Sequence, residues 1–399
     1  MGVLKIIFIF FLLAFPIAEV GRAQFSNGVA FSVNDFILAI LLVAWFAYHL
    51  LNNKRVNKNN LTKPIFIFVG IGIISLILNI SHLSFMNLLV SFSYLLRWVM
   101  YAALFFIVKE FDKKFKNKIP YLMLFSGAIM VLIGYIQYFF YPSLKNLFYL
   151  GWDEHLYRMF SSFLDPNFAG AFFVLLFIFT LGLIYQYFKN NLISKAVALG
   201  VLNIFVLIAV YLTYSRSAFI MLAVSLSVFL FLIKKWKLII FALTGLLLIV
   251  FIVPKSFQTE GTNLLRTFSS QQRIESSQVA LKIFQNNPIF GVGFNAYRYA
   301  QNKYGLTNKI WQTTHSGAGT DNSFLFVLAT AGILGLFAYF YLGFSFYSFA
   351  KKNFKNNVYS LILISSVTGL IINSFFINSL FYVFILEWIW IVASLIENK

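Results

Sequence analysis

The sequence predicts an all-α, polytopic membrane bundle of about twelve transmembrane helices with one large polar loop. Three observations predict it. Of 399 residues, 60% are hydrophobic; only 11% are charged; and apolar stretches of spanning length alternate with short Lys-rich connections. A soluble chain of this size has too little polar side chain to cover that much apolar surface, so lipid is its solvent. Aromatics reach 20%, led by 51 Phe, and bulky rings suit lipid-facing helix surfaces. On a soluble domain the net charge of +19 would point to nucleic acid. Here the Lys lie in clusters between apolar stretches, the pattern of cytoplasmic loops, and nucleic acid is not an expected partner. The absence of Cys excludes disulfides, thiolate nucleophiles and Cys-based metal sites.

Stretches long enough to span, about 17–25 residues each, run roughly over 3–20, 34–52, 64–80, 88–108, 119–141, 167–187, 194–213, 217–233, 238–253, 322–348, 357–376 and 379–396. Residues 1–399 therefore read as a single integral membrane domain. Lys5, the run Ile6 to Ala18 and then Gly21-Arg22-Ala23 also fit a cleaved signal peptide; the weakly charged start favours a retained helix.

Orientation follows from Lys and Arg positions. Lys54, Arg55, Lys58 and Lys63 occupy one loop, and Lys109, Lys113, Lys114, Lys116 and Lys118 another. Lys189 with Lys195, then Lys234, Lys235 and Lys237, then Lys351, Lys352 and Lys355 fill three more. These are alternate loops, so one threading puts them all in the cytoplasm, with both termini inside and the chain in the cytoplasmic (inner) membrane. Residues 141–165 and 254–321 then face outward. The segment 254–321 is the one extended hydrophilic region, expected to cap the bundle as a periplasmic or extracellular loop with short helices. Within it Gln271 to Gln285 reads as an amphipathic helix with Ile274, Leu281 and Phe284 toward one face, ended by Asn287-Pro288.

Four outward elements carry candidate chemistry. Arg158 stands before Asp165-Pro166-Asn167, a helix-start signal in its own right, which leaves an interfacial Arg beside a capped helix as the plain reading. Tyr214-Ser215-Arg216-Ser217 forms a tight hairpin whose Ser residues suit capping and whose guanidinium suits a lipid-linked phosphate. Arg273 lies on the amphipathic stretch, ahead of Gly291-Val292-Gly293. That pair of glycines has no βαβ unit around it and reads as a tight turn rather than a dinucleotide site. Last comes Thr314-His315-Ser316, then Asp321-Asn322-Ser323-Phe324, then Gly332-Ile333-Leu334-Gly335. His315 or Asp321 suits a general base, and Asp321 also suits an N-cap. Within the bilayer Arg97 and Glu387 lie at matching depths and are expected to pair. His49, His82 and His155 suggest no partner.

The order of these elements resembles the O-antigen ligase and O-antigen polymerase superfamily. The resemblance covers roughly Arg158 to Leu336, and the twelve-helix layout with one large outer loop fits the rest. It implies a membrane glycosyltransferase using an undecaprenyl-pyrophosphate-linked sugar donor at the periplasmic face, with a glycan or lipid-linked acceptor, membrane lipid around it, and no cofactor or metal. By that similarity Arg216 binds the donor pyrophosphate, Arg158 and Arg273 complete the anionic site, and Asp321 or His315 takes the acceptor proton. Ligases carry a His where this chain has Asp321; Asn322 and nine further residues separate it from the Gly-x-x-Gly turn. This departure favours a polymerase joining repeat units over a ligase that transfers to lipid A-core or protein. A polysaccharide transporter or flippase is the alternative from another class; it would need ionisable sites near the midplane and often repeated halves.

Overall fold

The computed structural model describes all residues except 26–28, 57, 253–258, 265–267, 307–317, 355–356 and 397–399. The helices before the first long loop are α1 (Gly2–Ala14), α2 (Val33–Leu51), α3 (Thr62–Leu78), α4 (Phe85–Lys109), the single turn α5 (Lys113–Lys116) and α6 (Ile119–Phe140). Then follow α7 (Pro166–Lys189), α8 (Ile193–Leu212), α9 (Arg216–Leu232) and α10 (Trp236–Ile252). The polar region contributes α11 (Phe268–Asn286) and α12 (Tyr297–Lys303), and α13 (Ser323–Lys352), α14 (Val358–Asn373) and α15 (Val383–Ser394) complete the bundle. A two-residue hairpin pairing Ala23 with Phe31 is the only sheet among the described residues.

Each predicted apolar stretch is a helix, shifted by a few residues at its ends. Among the described residues, seven segments are long and apolar enough to cross a membrane, and five shorter apolar helices accompany them. The chain is an all-α polytopic membrane protein. Several helices begin where a short polar side chain precedes the apolar run and accepts the first backbone N–H groups. Ser32 and Asp35 form a capping box on α2, and Asp165 and Asn357 cap α7 and α14. Helix α7 packs against α8, α9 and α14. Its Gly182 faces Ile362 of α14 and its Gly170 faces Ala218 of α9, so closely that an added Cβ would meet those side chains at 2.3 and 2.7 Å. Small residues at such crossings let membrane helices approach. The fully buried Trp388 of α15 completes this centre, its ring edge-on to Phe172 and Phe179.

The two ends of the bundle differ. At one end the N-terminal helix meets the Lys-rich loops: Lys5 pairs with Asp112, and His49 Nε2 lies 2.9 Å from Glu110 while its Nδ1 faces the Lys54 carbonyl at 3.0 Å. At the other end the polar region docks on α13, through a break in that helix. Gly332 has φ 68° and ψ −169° inside α13, which frees the carbonyls before it and the amides after it. The turn following α11 takes them up: Val292 N donates to Ala329 O at 3.0 Å and Gly293 N to Thr330 O at 3.1 Å. In return Ile333 N donates to Pro288 O at 2.9 Å. From α3, Ser75 Oγ reaches both Phe290 O and Thr330 O, and Asn79 Nδ2 reaches Gly291 O. The glycine pairs are thus two halves of one backbone clasp. Gly291, at φ 67°, packs directly on the main chain of Thr330 and Ala331.

Besides His49, which the sequence left without a partner and the structure pairs with Glu110, two expectations are corrected. Arg97 pairs with Asp35, not Glu387: its Nη2 lies 2.8 Å and its Nε 3.2 Å from the Asp35 carboxylate, and its Nη1 donates to Ala30 O at 2.8 Å. Asp35 sits at the first turn of α2, at the level where the hairpin brings the main chain within reach. Glu387 instead accepts from Asn34 Nδ2 at 3.5 Å. The second correction concerns α11. It turns Ala280 and Ile283 inward against Tyr297, Phe326 and Ala329, whereas Ile274 and Leu281 are exposed. The contact face is set by Ala280 and Ile283, one helical turn apart.

Candidate active site

A cavity of about 540 Å³ opens at the docked end of the bundle. Chain segments far apart in sequence build its wall. Arg158, Arg273 and Asp321, three of the residues singled out from sequence, line it together with Asp153, Asp165 and Asn167.

Arg158 is buried and does not snorkel to the surface. Its Nε donates to the Thr213 carbonyl at 2.9 Å and its Nη2 faces Asn167 Oδ1 at 3.3 Å. The first contact satisfies a carbonyl left open at the C-terminus of α8. Asp165 caps α7 by accepting from Asn167 N at 2.6 Å, and its carboxylate also faces the cavity. Ser215 starts α9 without a side-chain cap; its hydroxyl donates to Asn167 Oδ1 at 3.1 Å. Asn167 therefore joins the Asp-Pro-Asn turn to the Ser-Arg-Ser hairpin.

Arg216 is the first residue of α9 and is not among the cavity-lining residues. Its Nη2 donates to Ser270 Oγ, on the first turn of α11, at 3.0 Å. It stands near enough to Arg273 for their like charges to interact. Arg273 is held below the usual guanidinium range, first by burial and then by Arg216, with Asp321 and Asp165 acting in the opposite sense.

Asp321 does not cap α13. Asn322 takes that role, its Oδ1 accepting from Phe324 N at 2.9 Å and Leu325 N at 3.0 Å. The Asp321 carboxylate is left to the cavity. Its backbone N faces Ser276 Oγ at 3.3 Å, and the same hydroxyl donates to Thr320 Oγ1 at 3.1 Å. Since Ser276 lies one helical turn beyond Arg273, the α11 register fixes Arg273 relative to Asp321. Asp321 is exposed to the cavity, with protein surrounding it on the other sides. Burial pushes its pKa up, Arg273 opposes this, and Asp165 and Asp153 add to it. Asp153 is raised in the same way, by burial and then by Asp165, against Arg158. His315 lies outside the described residues.

Sequence reading missed part of the wall. Asp153 and His155 sit in the loop before Arg158, where nothing in composition marks them, and both line the cavity. Tyr94, Arg97, Trp98 and Tyr101 of α4 line it too. Their spacing was a usable signal: a polar and aromatic stripe at i, i+3, i+4 and i+7 on a membrane helix.

Residues 201–340 match the family model described as O-antigen ligase. The match spans about a third of the sequence and supports the ligase and polymerase superfamily that the motif order resembles. A search of curated proteins finds no match. Within the matched residues lie Arg216, Arg273 and Asp321, together with both glycine pairs of the clasp. Arg158, Asp153, Asp165 and the α4 stripe come from outside it.

Proposed function

We propose that this chain is a glycosyltransferase that joins polyprenyl-pyrophosphate-linked oligosaccharide repeat units, with undecaprenyl pyrophosphate as the donor carrier and the cavity at the periplasmic face of the inner membrane. One observation carries the reading: Arg158, Arg273 and Asp321 share one cavity, with Arg216 bonded to the helix that bears Arg273.

The arrangement suits inverting displacement at an anomeric carbon. An acceptor hydroxyl attacks that carbon, the bond from carbon to pyrophosphate oxygen breaks, and the acceptor proton passes to Asp321. The leaving pyrophosphate gains negative charge in the transition state, where preorganised guanidinium donors stabilise it most. A carboxylate with a raised pKa is a stronger base than an ordinary one, which suits it to take a proton from a sugar hydroxyl. These steps need no metal or cofactor. The 254–321 segment acts as the cap that closes the cavity.

The Asp at position 321 favours the polymerase reading; the family description favours a ligase acting on lipid A-core or protein. Reconstituted protein given a polyprenyl-pyrophosphate-linked repeat unit separates them: a ladder of products marks a polymerase, and single transfer to a distinct acceptor a ligase. In either case Arg216→Ala abolishes transfer. Translocation of the lipid-linked glycan that survives Arg216→Ala would instead establish a flippase.

A further inference from the structure

We propose that the short 3-10 helix Lys145–Leu150 is an interfacial foot. It seats Phe148 and Tyr149 in the lipid headgroup layer at the cavity end of the bundle and holds the adjoining cavity wall at that level. This surface goes beyond the transfer reading and does not depend on it. Phe148 is 68% and Tyr149 81% exposed, and Leu150 beside them is exposed too. Neighbouring rings on a loop tip are costly in water and favoured at the level where a bilayer meets it.

A missing core does not explain this exposure. The same segment turns Leu144 and Leu147 inward, against Phe160, Leu164 and Trp152. Leu144 N donates to Glu154 O and Tyr157 N to Pro142 O, both at 2.8 Å, which folds the chain back on itself. Gly151, at φ 87°, ends the 3-10 helix, its N donating to Phe148 O at 2.9 Å. A small lobe with its own apolar centre thus presents a second apolar face outward.

Lipid is the occupant because the lobe is tied to the last turn of a membrane helix. Helix α6 lies in an apolar segment long enough to span and ends with Phe139 and Phe140 exposed, Phe140 by 83%, on the surface that lipid covers. The next residue, Tyr141, donates its hydroxyl to the Asn146 side chain within the foot. One turn earlier, Gln137 Oε1 accepts from Phe160 N at 2.8 Å and Ser161 N at 3.1 Å, and its Nε2 donates to Arg158 O at 3.3 Å. These bonds keep the lobe level with the end of α6. The foot stops at the headgroups, because hydrocarbon would leave its open backbone groups unsatisfied. Lys145, exposed at its first position, supplies a cation suited to that depth.

The foot bears on the cavity because Gly151, Trp152, Asp153, His155 and Arg158 follow it directly and line the wall. Between the foot and α7, His155, Tyr157, Ser161 and Leu164 hold left-handed backbone, with φ between 49° and 56°. Such conformations persist in non-glycine residues only where the surroundings over-determine them. Gln137 and the Asp165 cap fix one end of the segment, and the foot fixes the other.

The chain has no Cys, so a nitroxide on Tyr149→Cys reports on one site. In proteoliposomes of the full chain, power-saturation EPR should find that label more accessible to oxygen than to a water-soluble nickel chelate, about 5–10 Å into the headgroup boundary. Unmodified protein, in vesicles containing a phospholipid with a diazirine beside its headgroup, should cross-link within residues 145–150. Replacing both rings, Phe148→Ser with Tyr149→Ser, should cut that cross-link at least tenfold. A label that meets nickel freely puts the tip in water and overturns the foot. So does a label shielded from both agents with no lipid cross-link in wild-type protein, which puts a second copy of the chain or another protein over the tip. The wild-type cross-link decides the proposal even if Tyr149→Cys fails to fold.

Discussion

Replacing Gly332 by Ala tests whether the backbone clasp positions the catalytic groups. The residue has φ 68° and ψ −169°, a region essentially reserved for glycine. A Cβ there would lie 2.1 Å from Ile289 O, 2.3 Å from Ile289 C and 2.6 Å from Phe290 N. All three are main-chain atoms, so no side chain can swing aside. Backbone strain of about 1–3 kcal/mol adds to an overpacking cost of about 1–3 kcal/mol. Relief requires the 288–293 turn to retreat, which lengthens the hydrogen bonds from Val292, Gly293 and Ile333, each worth about 1 kcal/mol net. Since α11 leads directly into that turn, Arg273 would move with respect to Asp321. A displacement near 1 Å is enough to cost about a hundredfold in rate. The assay is glycan transfer in proteoliposomes alongside thermal unfolding in detergent. Gly343→Ala on the same helix is the control, because a Cβ there meets nothing within 4 Å; it should leave both readouts unchanged or raise the melting temperature. Wild-type rate and melting temperature in Gly332→Ala would refute the positioning argument.

Asp321→Asn should reduce transfer by about a hundredfold or more without lowering the melting temperature. Its raised carboxyl pKa means that the folded state binds the proton more tightly than the unfolded one. Ionised Asp321 therefore costs stability above the unfolded value, and removing the charge relieves that cost. In wild-type protein, kcat/KM should fall as pH drops through a pKa above the ordinary 3.8, and Asp321→Asn should lose that limb of the profile; an unaltered limb would assign it to another group. Arg273→Ala should lower kcat by about a hundredfold to a thousandfold, and Arg273→Lys should recover little, because an ammonium lacks the guanidinium fork; full rescue by Lys would reduce the role to simple charge. Asp35→Ala strands the buried Arg97 and should cost about 3–5 kcal/mol in chemical denaturation, whereas Glu387→Gln, which keeps an acceptor for Asn34, should be near neutral. Exchanging Arg97 and Glu387 should bring no rescue, since they are not partners.

The fold was legible because its signal is coarse. Runs of apolar residues bounded by Lys and Asn dictate helices in lipid, where every backbone group must be satisfied within its own segment. Individual site residues were legible where a turn marks them, as at Asp165-Pro166 and Ser215-Arg216. What stayed hidden depends on partners distant in the chain. Nothing near Arg97 announces Asp35, and nothing near Gly332 announces the 288–293 turn. Asp321 was read as a base that could also cap, because Asp suits that position as well as Asn does. Only the register of Asn322 against Phe324 and Leu325 assigns the cap, and with it the freedom of the neighbouring carboxylate. Asp153 was invisible for a plainer reason: a lone acid in an irregular loop has no spacing to read.

The break at Gly332 also divides α13 by length. From Ile333 to Lys352 the helix runs about 30 Å, matching the hydrocarbon thickness of a bilayer, while the part from Ser323 to Ala331 adds about 14 Å beyond it. The shorter piece carries Asp321 and Asn322 at its head and belongs mechanically to the cavity wall. The longer piece is tied to the same turn, since Ile333 N donates to Pro288 O. A thicker or thinner membrane that tilts the spanning piece therefore pulls on the turn that follows α11. The clasp thereby makes the distance between Arg273 and Asp321 responsive to the mechanics of the surrounding bilayer.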